Sequence, residues 1–273
     1  QWTREDDVRH DFLHTVSAER IEAGLDAGGK VVAWRHRSAA PSIGSTFAAD
    51  TLHPLSLELG MGLADLPFDI PNIRAESPAA AAHTRIGWFR SVSNIPHVFA
   101  VQSMVGEIAA RTGRDPKDLL FKLPPGHGMG IAVHRSFASY IATIVEVAVD
   151  SKGVLTIPRV DTAVDCGVVV NPERIASQME GAAVMGLSLA KYGAITFKDG
   201  RVEQANYDDY PVVRIDEAPL VTNTHITPSD WSLAPGGVGE PGIPPFAPAL
   251  CNAIHAATGK RIRTLPIGRQ LEA

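Results

Sequence analysis

Cysteine is nearly missing from this 273-residue sequence, which carries Cys166 and Cys251 and no others. Two thiols cannot build a disulfide framework, and neither sits in a C-x-x-C pair, so zinc or iron–sulfur ligation within the chain is not expected. An excess of positive charge is missing as well: 25 Lys and Arg stand against 30 Asp and Glu, a net charge of −5. Such a chain offers phosphate backbones no attracting field, which argues against a nucleic-acid partner. There is no long hydrophobic run. The most apolar stretch, Tyr140 to Val149, is interrupted by Glu146 and falls far short of the ~20 residues of a membrane span, so no membrane crossing is expected. The sequence also lacks G-x-x-x-x-G-K-[ST], H-E-x-x-H and G-x-S-x-G, which removes support for phosphate loops, zincins and nucleophile elbows. The 10 histidines show no metal-ligand spacing, and no residue is assigned to a metal.

The composition that remains is that of a folded protein, 45% hydrophobic and 20% charged, without the polar, highly charged signature of disorder. The length suits one large or two modest domains. The chain opens at Gln1, without methionine, and Trp2 to Asp11 is charged. This beginning fits a processed or excised piece of a longer protein better than a signal peptide. Redox compartment and localisation, cytoplasmic or periplasmic, stay undetermined.

Hydrophobic periodicity and turn residues predict the following elements. Val31 to His36 reads as a strand after Gly28-Gly29, and Pro41 to Pro78 as an irregular connection with one short helix near Leu55 to Leu59. His97 to Arg111 has helical spacing with Gly113 as its stop, and Asp115-Pro116 is a further helix start. Ile131 to Val133, Ile141 to Val149 and Val154 to Val164 read as successive strands. Asn171-Pro172 opens a helix to about Tyr192 in which Gly181, Ala182, Ala183 and Gly186 leave one surface nearly bare. A hairpin at Lys198-Asp199-Gly200, a strand over Leu220 to Ile226 and a helix over Pro248 to Thr258 complete the chain. The expected class is α+β, with subdomains over 1–123 and 124–273 and a boundary near Leu123 to Gly126.

Two glycine-rich segments invite a functional reading. Gly126-x-Gly128-x-Gly130 lacks the spacing of a dinucleotide fingerprint and precedes a strand, whereas that fingerprint opens a helix. The second, Gly236-Gly237-Val238-Gly239-Glu240-Pro241-Gly242-Ile243-Pro244-Pro245, surrounds a lone carboxylate with glycines that permit close backbone approach and prolines that stiffen. Rigid presentation of one acid suits a general base. The competing reading makes Glu240 a charge at the N-terminus of the last helix. A pair of acids at Asp208 and Asp209 suits hydrolysis poorly, because neighbours on an extended chain point to opposite faces.

The stretch from Gly236 to Pro266, GGVGEPGIPPFAPALCNAIHAATGKRIRTLP, resembles the C-terminal signature of molybdopterin-binding large subunits of the xanthine dehydrogenase and aldehyde oxidase superfamily, most of all the isoquinoline 1-oxidoreductase beta-subunit type. Trp2 to Asp11, Trp88-Phe89-Arg90-Ser91-Val92, Val164-Asp165-Cys166-Gly167 with Asn171-Pro172, and Gln178-Met179-Glu180-Gly181-Ala182 match in order. The resemblance implies a molybdenum hydroxylase that oxidises an aldehyde or N-heteroaromatic substrate with water as oxygen source. It implies Glu240 as the base that takes a proton from the attacking hydroxyl, and Arg90, at the place of the family's A-F-R-G loop, as a residue presenting its backbone to the cofactor. Gln178, in Q-x-E-G-A, would hydrogen-bond the pyranopterin, with Gly237, Val238 and Gly239 lining the same site. The implied cofactor is molybdopterin in its cytosine dinucleotide form, with molybdenum. The implied partners are the N-terminal portion of the large subunit, which carries its own cofactor loop, and a small subunit holding iron–sulfur clusters, so the chain alone is expected to be inactive. A cofactor-less structural or assembly subunit that kept the fold is the alternative.

Overall fold

The computed structural model describes residues 1–48, 51–114 and 126–272. Along the chain run α1 (Arg4–Arg9), β1 (Ala18–Leu25), β2 (Val31–Ala39), a 3-10 turn at Ile43–Thr46, α2 (Ser56–Leu59), β3 (Asn72–Glu76) and α3 (Asn94–Arg111). There follow β4 (His127–Ser136), β5 (Ser139–Val149), β6 (Leu155–Asp165), α4 (Pro172–Tyr192), β7 (Phe197–Lys198), β8 (Arg201–Val202), β9 (Thr222–Ile226) and α5 (Phe246–Thr258). The helix expected at Asp115-Pro116, and positions 123–125 of the expected boundary, lie outside the described residues. Among the described residues no helix is long and apolar enough to cross a membrane.

Strands β1, β2 and β3 form one sheet, β1 antiparallel and β3 parallel to β2. Strands β4, β5, β6 and β9 form the second, an antiparallel meander extended by β9 running parallel to β6. Strand β3 interrupts the stretch expected to be irregular. Its side chains are almost all exposed, so it has no apolar alternation to read, and backbone pairing with β2 makes it a strand. Helix α3 starts at Asn94, ahead of the expected His97, because Pro96 falls in its first turn, where a missing N–H costs nothing.

Helix α5 lies on the second sheet, and the glycines of β4 explain how. Gly128, Gly130, Ala132 and His134 form the buried face of the strand. A Cβ on Gly128 would stand 2.2 Å from the Ala253 carbonyl oxygen, and one on Gly130 2.1 Å from that of Ala249. Two residues of strand advance about 6.8 Å and four of helix about 6 Å, so alternate glycines match one helical turn of α5. The G-x-G-x-G run is therefore a seat for a helix backbone. Above it Val145, Val147, Ile157, Val160, Leu187, Phe246, Leu250 and Ile254 fill the main core.

Asn171 caps α4, its side chain accepting from the Arg174 N–H, with Pro172 in the first helical position. Ala182, Ala183 and Gly186 turn inward with Met179 and Leu187, and a Cβ on Gly186 would meet that of Phe246 at 2.7 Å. The single bare surface expected from sequence divides here: Gly181 points away from that face, with nothing within 4 Å of its Cβ position, because successive helical residues are turned by about 100°. Asp209 spends its carboxylate on the Ala205 and Asn206 N–H groups, closing a turn.

Candidate functional site

Trp88 to Val92 leads from the connection after β3 into α3, and its backbone is unusual. The Val92 N–H donates to the Phe89 carbonyl oxygen at 2.8 Å, closing a turn around Arg90 and Ser91. Ser91 has φ +76° and Val92 φ +48°. A positive φ at the third position is the type II arrangement, which favours glycine, and the matching family loop ends in glycine at this place. Here serine occupies it, wholly buried at 0% exposure, and both of its donors go to one residue. The Ser91 N–H donates to Glu240 Oε2 at 2.7 Å and its hydroxyl to the Glu240 carbonyl oxygen at 2.7 Å. Strain of this kind persists where surrounding contacts hold it, and such sites are enriched in function.

Arg90 reaches the other way. Its Nε donates to the Gly239 carbonyl oxygen at 2.6 Å and Nη2 to Gln178 Oε1 at 3.0 Å, while Nη1 lies 3.8 Å from the Met185 sulfur. One side chain thus joins the turn before α3, the middle of α4 and the loop before α5. Burial pulls the guanidinium below its ordinary range and the charge of Glu240 works against that pull; a guanidinium remains protonated throughout.

The loop carrying Glu240 is built from the protein's own close approaches. Gly236 N–H donates to the Cys166 carbonyl at 2.8 Å and Gly237 N–H to that of Phe137 at 2.7 Å, and the Ser139 hydroxyl donates to the Gly237 carbonyl at 2.8 Å. A Cβ on Gly236 would come within 2.3 Å of Ser139 Oγ, and one on Gly242 within 2.8 Å of Ala182 Cβ. These glycines therefore seat the loop on the β4–β5 turn and on α4. Only at Gly239 does the loop leave open space, with nothing within 4 Å of the Cβ position. Val238 packs against Ile141, Val164, Cys166, Ile175 and Met179. Pro241 onward is buried and runs straight into α5. The carboxylate of Glu240 engages Ser91 rather than the N-terminus of α5, which has no side-chain cap.

Of the residues singled out from sequence, Arg90, Gln178, Gly239 and Glu240 converge. Gly237 is turned to the β4–β5 loop, and Val238 to the core cluster beneath it. Sequence reasoning passed over Ser91 and Met185. The signal for Ser91 was present, as a serine standing where the matching loop has glycine.

Residues 122–219 match the molybdopterin cofactor-binding domain family, a span that includes Gln178. The isoquinoline 1-oxidoreductase beta chain of Brevundimonas diminuta is 28% identical over 301 residues, covering 97% of this chain and 38% of that protein. A nicotinate dehydrogenase component of Pseudomonas putida is 27% identical over 314 residues, covering 98% of this chain and 26% of that protein. The chain therefore spans well under half the length of these relatives. Its fold is shared with the aldehyde oxidoreductase from Desulfovibrio gigas, at a TM-score of 0.80 and 14% identity over 99% of this chain and 50% of that one.

The residues present fit a pterin with a metal centre. Among the described residues the Gln178 side-chain NH2 and the backbone N–H groups of Arg90 and Gly239 have no protein acceptor. Beside them Gly181 and Gly239 leave room. Free donors next to open space suit a ring rich in acceptors and an oxygen-bearing metal. Over residues 122–219 the chain carries a molybdopterin cofactor-binding domain homologous to that of the large subunits of the xanthine dehydrogenase and aldehyde oxidase superfamily, set in a mixed α/β architecture and related in sequence to the isoquinoline 1-oxidoreductase beta chain.

Proposed function

We propose that this chain is the C-terminal part of the cofactor cleft of a molybdenum hydroxylase, which oxidises an aldehyde or N-heteroaromatic carbon with oxygen drawn from water. The observation that carries the reading is the convergence of Arg90, Ser91, Gln178 and Glu240 from segments 88 and 149 residues apart. In this reading residues 1–123 and 124–273 are two halves whose seam forms the site. When bound, the molybdenum cofactor, in its cytosine dinucleotide form, supplies the two-electron acceptor. Gln178 holds the pterin through its side-chain amide, and the backbone N–H groups of Arg90 and Gly239 face the cofactor, beside Gly237 and Val238.

Glu240 is the general base. Its Oε2 is fixed by the Ser91 N–H at 2.7 Å, while Oε1 has no protein donor among the described residues. That oxygen accepts the proton from the water-derived hydroxyl as its oxygen bonds to the substrate carbon. Reaction of a C–H carbon with water to give the C–OH product releases two electrons and two protons. Iron–sulfur clusters on a small partner subunit would supply the outlet for these electrons, since the two buried thiols of this chain cannot hold a cluster. The N-terminal portion of the large subunit completes the cleft, so the chain alone is inactive.

Glu240→Gln in the assembled enzyme is the test. The amide can still accept the Ser91 N–H, so molybdenum and pterin content stay near normal. Turnover falls by at least the ~10²- to 10⁴-fold that general base catalysis contributes. Near-normal turnover at full cofactor loading would remove the base from this mechanism. A folded complex lacking cofactor and unaffected by the substitution would favour the structural-subunit reading.

A further inference from the structure

An arginine side chain has five N–H donors and no acceptor. An amide set against it must therefore turn its oxygen inward, and Gln178 does so, with Oε1 at 3.0 Å from Arg90 Nη2. This contact decides what the other end of the amide offers. Reversing it would bring NH2 against guanidinium, donor against donor, and losing a hydrogen bond to a charged group disfavours that orientation by roughly tenfold or more. Nε2 is consequently directed outward from an exposed position on α4. Gly181 and Met185 follow at i+3 and i+7 on the same side of the helix. Gly181 leaves open space there, and Met185 packs its sulfur on the same guanidinium.

We propose that Arg90 is a positioning residue that sets the polarity of Gln178, so that Gln178 meets the pterin with N–H donors alone and recognises an acceptor atom on it. This rests on the reading that Gln178 contacts the cofactor, and goes further by naming which half of the amide does so and what holds it. The same guanidinium grips the Gly239 carbonyl oxygen at 2.6 Å, one residue before Glu240. A single side chain therefore orients the pterin donor and seats the loop of the base.

The test compares Gln178→Glu, Gln178→Ala, Arg90→Met and the Arg90→Met/Gln178→Ala double variant in the assembled enzyme. Pterin and molybdenum content after gel filtration, and the thermal midpoint, are the readouts. Gln178→Glu keeps an oxygen toward Arg90, now as an ion pair, but replaces the outward donor by an acceptor. Its pterin content is expected to fall at least about threefold, as far as in Gln178→Ala or further, with the midpoint little changed. Arg90→Met lowers retention more when Gln178 is present than when residue 178 is alanine, because the part of its effect that passes through the amide disappears with the amide, leaving only the part that passes through the Gly239 carbonyl.

Full pterin in Gln178→Glu alongside a loss in Gln178→Ala overturns the donor polarity and leaves the cofactor contact standing. Equal losses from Arg90→Met in both backgrounds overturn the positioning role. Full pterin in both Gln178 variants removes the contact itself, and the proposal with it. Should Arg90→Met not yield folded enzyme, the comparison of the two Gln178 variants decides.

Discussion

Replacing Ser91 by alanine and, separately, by glycine divides backbone strain from hydrogen bonding in the turn beneath Glu240. Alanine keeps a Cβ at φ +76° and loses the 2.7 Å bond from the hydroxyl to the Glu240 carbonyl. That carbonyl still accepts from the Ile243 N–H at 3.2 Å, so the loss is that of one ordinary hydrogen bond, about 1 kcal/mol. Glycine loses the same bond but releases left-handed strain of about 1–2 kcal/mol, against about 0.5–1 kcal/mol of added freedom in the unfolded chain. The glycine variant should stay near the parent and the alanine variant should lie about 1 kcal/mol below it. For a domain of 150–250 residues this separates the thermal midpoints by about 2–4 °C. Paired melts at one scan rate measure the gap. Alanine melting with or above glycine would refute the strain assigned to this turn, and with it the idea that contacts to Glu240 hold Ser91 in a glycine conformation.

On α4, Gly186→Ala should destabilise by about 1–3 kcal/mol, since its Cβ would overlap that of Phe246 at 2.7 Å. Gly181→Ala should instead gain up to about 1 kcal/mol from helix propensity, as nothing lies within 4 Å; denaturant titration of both variants checks the pair. A further fall in pterin content for Gly181→Ala would report cofactor against that position. His134 is buried with Nε2 3.0 Å from Asn94 Oδ1, and burial lowers its pKa to about 4. The unfolded chain, with an ordinary value near 6.5, binds the extra proton first, so this stability is present above that value and lost as pH falls toward 4, by an amount on the order of 3 kcal/mol. Denaturant midpoints at pH 7 and pH 5 should differ less in His134→Gln than in the parent, and an unchanged difference would contradict the assignment.

Local structure was legible where the signal was local. Asn171-Pro172 announced α4 through a cap and a fixed φ, the periodicity of α3 through its apolar spacing, and the three long strands of the second sheet through β-branched residues between turns. The lone acid in a glycine- and proline-rich loop, together with the ordered motifs of the resemblance, singled out Glu240, Arg90 and Gln178. Strand β3 had no such signal, because its side chains face solvent and its pairing with β2 is made by backbone alone.

The work done by each small residue belonged to tertiary structure. Sequence determined that glycine stands at 128, 130, 186, 236 and 242; packing decided that these positions admit a helix, a phenylalanine, a hairpin turn and a neighbouring alanine. Side-chain volume is a property of the residue, but what occupies the space it leaves depends on which faces meet after folding. The same holds for the site. A carboxylate, an amide and a guanidinium are named by sequence, whereas the bonds that make Arg90 join Gln178 to the loop of Glu240, and Ser91 clasp that residue twice, span 88 and 149 positions. No local pattern reaches so far, because such contacts are set by the docking of α3, α4 and α5 and by the strained turn that docking holds in place.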